Sequence, residues 1–123
     1  MAGKILFVDD SPVIKKIIKR AIEAAGYELV EASDGKEALT VLARDGNDIR
    51  LILSDWNMPV MNGFDLLKAV KGSGAYKHIP VIMLTTEAEK GNINKAIQAG
   101  ASNYLLKPFN TEDLVKKVVQ CIE

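Results

Sequence analysis

The chain has 123 residues, 48% of them hydrophobic, with a single cysteine, Cys121. That length fits one domain with its own core, and a lone cysteine excludes both an internal disulfide and a thiolate-based metal site. Sixteen basic residues balance sixteen acidic ones, which argues against nucleic acid as a partner, because phosphate binding is driven by a basic excess.

Apolar runs alternate with helical periodicity along the whole chain. Lys4–Val8 reads as a strand, after which Ser11 offers a helix cap and Pro12 fits the first helical position. Val13, Ile14, Ile17, Ile18, Ala21, Ile22 and Ala25 form an apolar stripe, and Gly26 can end that helix in the left-handed conformation. The basic cluster Lys15, Lys16, Lys19 and Arg20 is assigned to the opposite, solvated face. Tyr27–Ala32 alternates like a strand, and Ser33-Asp34-Gly35 turns into a helix that ends near Gly46. Ile49–Ser54 is a third strand running into Asp55, and Gly63–Val70 a third helix. Val81–Thr86 is strand four, followed by a helix from about Ala88 to Ala99 that Gly100 stops. Asn103–Leu106 is a short fifth strand, Pro108 breaks the chain, and Asn110 or Thr111 caps a last helix through Ile122.

Strands alternating with helices imply an α/β fold with a mainly parallel sheet covered on both faces and joined by right-handed crossovers. Residues 1–123 are expected to form a single domain with no separate output domain. No apolar run approaches the ~20 residues of a membrane span or the core of a signal peptide. A cytoplasmic protein that does not engage membrane is expected.

In an open α/β sheet, ligands gather beyond the carboxyl ends of the strands. The residues at those ends are Asp9-Asp10 after strand one, Asp55 after strand three, Thr85-Thr86 closing strand four and Lys107-Pro108 after strand five. Three crowded carboxylates raise one another's pKa values unless a cation compensates. Their hard oxygen ligands suit Mg²⁺, which keeps several waters and takes few protein ligands. A metal and the Lys107 ammonium can share the charge of a phosphoryl group, the Thr85 hydroxyl can donate to it, and a carboxylate can serve as its nucleophile. Singly, each residue has an ordinary reading: Asp9, Asp10 or Asp55 as a turn former, Thr85 as a strand residue, Lys107 as surface. The joint placement at four strand ends is what points to a site.

These residues, in this order, resemble the receiver domain of bacterial two-component response regulators. The motifs that carry the resemblance are Val8-Asp9-Asp10-Ser11, Ser54-Asp55-Trp56-Asn57-Met58-Pro59, Met61-Asn62-Gly63, Leu84-Thr85-Thr86-Glu87-Ala88, Ala99-Gly100-Ala101 and Lys107-Pro108-Phe109. Around Asp55, and at Glu87 and Tyr104, the similarity is greatest to stand-alone chemotaxis-type members. The resemblance implies a flavodoxin-like (βα)5 fold, a doubly wound five-stranded parallel sheet of order 2-1-3-4-5. It implies that Asp55 is the phosphoacceptor, that Asp9, Asp10, Asp55 and the Asn57 carbonyl organise Mg²⁺, and that Lys107 pairs with Asp55 or its phosphate. Thr85, Thr86 and Trp56 would border the phosphoryl group, Thr85 and Tyr104 would be the switch pair, and the Lys107–Pro108 peptide bond would be cis. The implied partners are a histidine kinase as phosphodonor, a downstream effector such as a flagellar motor switch protein, and a phosphatase, the chain itself being monomeric.

Asn57 and Glu87 would flank the site and influence attacking water. Thr86 departs from the alanine frequent in chemotaxis-type members, and its branched side chain is expected to alter phosphorylation or hydrolysis. Other readings remain open: a stand-alone receiver outside chemotaxis, or a phosphatase working through an aspartyl phosphate. The second is disfavoured because the nucleophile stands apart from the acidic pair and no cap insertion is present. Flavin binding fits poorly, since Asp9-Asp10 occupies the phosphate-loop position and repels a phosphate. His78 is expected in an exposed loop, Cys121 packed on the last helix, and Trp56 at the pocket rim.

Overall fold

The computed structural model describes residues 3–86 and 91–122. Five strands, β1 (Lys4–Val8), β2 (Glu28–Ala32), β3 (Ile49–Asp55), β4 (Val81–Thr86) and β5 (Asn103–Lys107), pair in parallel in the order β2-β1-β3-β4-β5. The helices are α1 (Pro12–Ala24), α2 (Gly35–Asp45), α3 (Gly63–Lys71), α4 (Ile93–Gln98) and α5 (Thr111–Ile122). This is the flavodoxin-like doubly wound fold, with a core on each face of the sheet. Ile5, Phe7, Leu51, Leu53, Ile82 and Leu84 meet Ile18, Ile22, Leu114 and Val118 of α1 and α5 on one face. On the other, Leu6, Val8, Ile52 and Met83 meet Val41, Leu42, Leu66, Leu67, Val70 and Ala96 of α2, α3 and α4. Central strands covered on both sides carry near-continuous apolar runs, and β3 is buried at every position except Arg50.

Local signals set the boundaries. The Ser11 hydroxyl accepts from the Ile14 amide at 3.4 Å ahead of Pro12, and Asp34, Asn62 and Asn110 accept from amides three residues on at 2.8, 2.8 and 2.7 Å. Asn110, not Thr111, is therefore the cap of α5. Gly26 and Gly100 stand at φ +96° and +110°, where glycine ends a helix without a side-chain clash. The start expected for the fourth helix at Ala88, like Glu87, lies outside the described residues.

The apolar stripe assigned to α1 is narrower than its sequence suggests. Ile18 and Ile22 are buried and Ile14 half-buried, whereas Val13 and Ile17 are 67% and 48% exposed. A 3.6-residue period puts Ile14, Ile18 and Ile22 on the sheet-facing line and swings Val13 and Ile17 onto its flank. Lys15 also departs from the solvated face. It is half-buried, and its ammonium donates to the Ser33 hydroxyl at 2.9 Å, joining α1 to the turn before α2. No described helix is long and apolar enough to cross a membrane.

Candidate functional site

The strand order reverses at β1, whose neighbours are β2 on one side and β3 on the other. Diverging connections leave a crevice beyond the ends of β1 and β3, and Val8 is in register with Ser54, so Asp9 and Asp55 emerge side by side. Asp9 is 1% exposed and Asp55 8%, while Asp10 points to solvent. One carboxylate oxygen from each of the three lies within 4.8 Å of the other two.

Among the described residues, one cation is paired with this charge. Lys107, at the end of β5, donates from Nζ to Asp55 Oδ1 at 2.9 Å and stands 3.6 Å from Asp9 Oδ2. The Trp56 amide also donates to Asp55 Oδ1, at 2.9 Å, and the Ser11 amide donates to Asp9 Oδ1 at 2.7 Å. Burial pushes the Asp55 carboxyl above its ordinary value, aided by the charge of Asp9 and opposed by Lys107 and the Trp56 amide. Burial disfavours the Lys107 ammonium, but its bonds to Asp55 and its attraction to both carboxylates outweigh that and hold its pKa above the usual lysine value.

Asp9 Oδ2 is buried and accepts no hydrogen bond, its ion pair with Lys107 apart. A buried carboxylate oxygen left without a donor is costly, and among the described residues three carboxylates against one ammonium give excess negative charge. The acidic cluster can therefore hold a metal ion. A hard divalent cation suits this donor set, which consists of oxygens only.

The other expected residues are distributed over β4, β5, α5 and the connecting loops. Thr85 is buried at the end of β4 and Thr86 half-buried beside it, in register with Leu106 and Lys107. The Thr85 hydroxyl lies 3.5 Å from the Thr86 carbonyl. Asn57 is exposed in the loop after β3. The Trp56 ring is half-buried and stacks on Phe64 with centroids 5.3 Å apart, so it leans on α3 while its amide faces the site. Tyr104 is half-buried in register with Met83, and the Lys117 ammonium stands 5.8 Å from its ring centroid. Since side chains alternate across a strand, Met83, Thr85, Tyr104 and Leu106 share one face of the sheet. The Lys107–Pro108 peptide bond is cis. His78 is exposed, and Cys121 packs against the α1–α5 core, where burial raises its thiol pKa.

Sequence reasoning passed over several positioning residues. Gly63 opens α3 directly against the end of β3: a Cβ there would overlap the Asp55 carbonyl oxygen and stand 2.9 Å from Met83 Cε, and its amide donates to the Trp56 carbonyl at 2.9 Å. Gly35 is pressed against Met61 in the same way and donates to its carbonyl at 3.1 Å. Between them Val60 stands at φ +66°, with the Met61 amide 2.7 Å from the Pro59 carbonyl, a tight three-residue turn. The cap-plus-glycine pairs Asp34-Gly35 and Asn62-Gly63 carry a legible signal; Val60 carries none, because a β-branched residue is a poor choice for positive φ.

Residues 5–119 match the family model for the response regulator receiver domain. The chain belongs to the response regulator receiver family. It is 44% identical over 117 residues to chemotaxis protein CheY1 of Helicobacter pylori, covering 94% of this chain and 93% of that protein. It is 41% identical over 121 residues to chemotaxis protein CheY of Pseudomonas aeruginosa, covering 98% and 96%. The high-resolution structure of the chemotaxis response regulator CheY4 of Vibrio cholerae superimposes with a TM-score of 0.89 at 40% identity, over 98% of this chain and 99% of that one. A response regulator of two-component signalling, similar to chemotaxis regulators, is the class that fold, site and relatives define together.

Proposed function

We propose that the chain is a phosphorylation-activated switch in which Asp55 accepts a phosphoryl group from the phosphohistidine of a histidine kinase. An Asp55 carboxylate oxygen attacks phosphorus, the P–N bond breaks, and the histidine nitrogen keeps the electron pair and takes up a proton. The observation that carries the reading is the Asp55 carboxylate held between Lys107 and the Trp56 amide, with Asp9 and Asp10 within 4.8 Å. Bound Mg²⁺, held by Asp9, Asp10, Asp55 and the Asn57 carbonyl, would supply positive charge to the phosphoryl oxygens in transfer. Lys107 then neutralises a phosphoryl oxygen, and the amide beside Asp55 orients the nucleophile. The same groups assist hydrolysis, so turnover serves the switch and not a metabolite.

Thr85 reports the phosphate and Tyr104 transmits the report. The two stand on one sheet face on adjoining strands, and a Thr85 hydroxyl drawn to a phosphoryl oxygen vacates space along that face toward the Tyr104 ring. Phosphate shifts the balance between two packings only as far as it binds one better. The surface built by α4, β5 and α5 changes, and a partner reads it. Similarity to chemotaxis regulators of three organisms favours a flagellar motor switch protein as that partner. Capture of partners on the immobilised chain, with and without beryllofluoride and Mg²⁺, tests this. Capture of a motor switch protein only in the loaded state is expected, and an identical partner set in both states would contradict it.

A further inference from the structure

Lys71 closes α3 at the end of the sheet opposite the site, and it reaches both the loop leading into β4 and the turn between α4 and β5. Its ammonium donates to the Ile79 carbonyl at 2.7 Å and to the Lys77 carbonyl at 3.1 Å, both in the loop leading into β4. Its stem lies across Gly100, the residue at φ +110° between α4 and β5: a Cβ on Gly100 would stand 2.9 Å from Lys71 Cγ and 3.3 Å from Cδ. The turn beneath that stem is stitched by two further bonds, Ala101 amide to Ala96 carbonyl at 2.9 Å and Ser102 amide to Val81 carbonyl at 2.8 Å. Ile79, Ala96 and Ala101 are all buried.

We propose that Lys71 is a clamp that fixes the C-terminal end of α4, so that the α4–β5 surface rearranges about Gly100 as a pivot. The argument is one of directional bonding. An ammonium bound to two carbonyls is charge-assisted and stronger than a neutral hydrogen bond, and it carries positive charge at the C-terminal end of α3, where the helix dipole favours it. The stem then fills the space that a glycine leaves, so Gly100 is required twice, once by its φ and once by its neighbour. Burial lowers the Lys71 pKa, in keeping with an ammonium drawn out of water onto the loop. A helix held at one end moves chiefly at the other, which for α4 lies on the side of the proposed phosphoryl site.

Amide hydrogen exchange on the full chain separates a local clamp from a general contribution to stability. In Lys71→Met, which keeps the stem and loses the charge, exchange of the Ala101 and Ser102 amides should rise about tenfold or more. The Phe7 and Leu53 amides should stay near parent rates, and Lys71→Arg should restore protection. An equal rise at all four amides, or none at Ala101 and Ser102, overturns the clamp. Gly100→Ala is the second variant: it forces the stem aside without removing the ammonium and should expose the same two amides.

The pivot itself rests on the proposed role of Asp55 and has its own arm. With beryllofluoride and Mg²⁺, exchange in the parent should change along 91–98 and 103–107 but not at Ala101 and Ser102; in Lys71→Met those two should join the change. Movement of Ala101 and Ser102 in the loaded parent overturns the pivot. No change anywhere on loading, in either protein, counts against the phosphoacceptor reading, while the unloaded exchange still decides the clamp.

Discussion

Replacing Asp10 by asparagine should stabilise the metal-free protein and weaken the metal-loaded one. Asp10 is exposed and within 4.8 Å of carboxylate oxygens of both Asp9 and Asp55, while Lys107 reaches those two. At that separation, like unit charges repel by about 0.9 kcal/mol in bulk water and about 3.5 kcal/mol at the effective dielectric near a protein surface. Exposure places Asp10 toward the lower figure, and the Lys107 ammonium offsets one of its two neighbours, so the net relief comes to about 1 kcal/mol, or about 4 °C in Tm for a domain of this size. Asparagine preserves shape but gives up a charged metal ligand. Saturating Mg²⁺ adds about 2.7 kcal/mol to a protein at a hundred times its Kd, and the parent should collect this at concentrations where Asp10→Asn does not. Thermal melts of both proteins, with chelator and across a Mg²⁺ titration, should therefore cross. A variant no more stable than the parent in chelator would refute the repulsion argument.

Gly63→Ala must move backbone, because the added methyl overlaps the Asp55 carbonyl and the Trp56–Gly63 bond is pulled apart; a loss of about 2–3 kcal/mol in urea unfolding, with weaker Mg²⁺ binding, is expected, and parent-like stability would disprove the close approach. Because burial raises the Asp55 pKa, the folded state pays for ionising it. The stability contribution is greatest below the unfolded carboxylate pKa and is lost as pH rises through the folded one, whereas Mg²⁺ affinity runs the other way and should begin to fall on acidification above the ordinary Asp value of 3.8. A Mg²⁺ titration followed by Trp56 fluorescence whose affinity breaks at or below that value would contradict the shift. Thr86→Ala removes a branched side chain next to Lys107 and should speed autodephosphorylation several-fold; equal rates would show that Thr86 does not restrict the approach of water.

Much of the fold was legible because the strands are short runs set off by caps, glycines or prolines, which puts Asp9, Asp55, Thr86 and Lys107 at strand ends on sequence alone. The convergence of the carboxylates followed from topology, once parallel strands had to share one carboxyl edge. What escaped was set by tertiary contact. Apolar periodicity marks the face of α1 but not the width of its contact line, so Val13 and Ile17 belong to the apolar stripe and yet lie exposed. A lysine reads as surface until a carbonyl or hydroxyl is found within reach, as at Lys15 and Lys71. Gly63 is dictated by the backbone of a residue eight positions earlier, and Val60 holds a conformation its own side chain disfavours.

The central claim is that Asp55 is the acceptor in a site made ready by Asp9, Asp10 and Lys107. Intact-mass measurement after incubation with acetyl phosphate and Mg²⁺ tests it most directly. The parent should gain the mass of one phosphoryl group in a form labile to hydroxylamine, and lose that gain in chelator and in Asp55→Asn. A phosphoryl group retained by Asp55→Asn, or none taken up by the parent with Mg²⁺ present, would contradict the account.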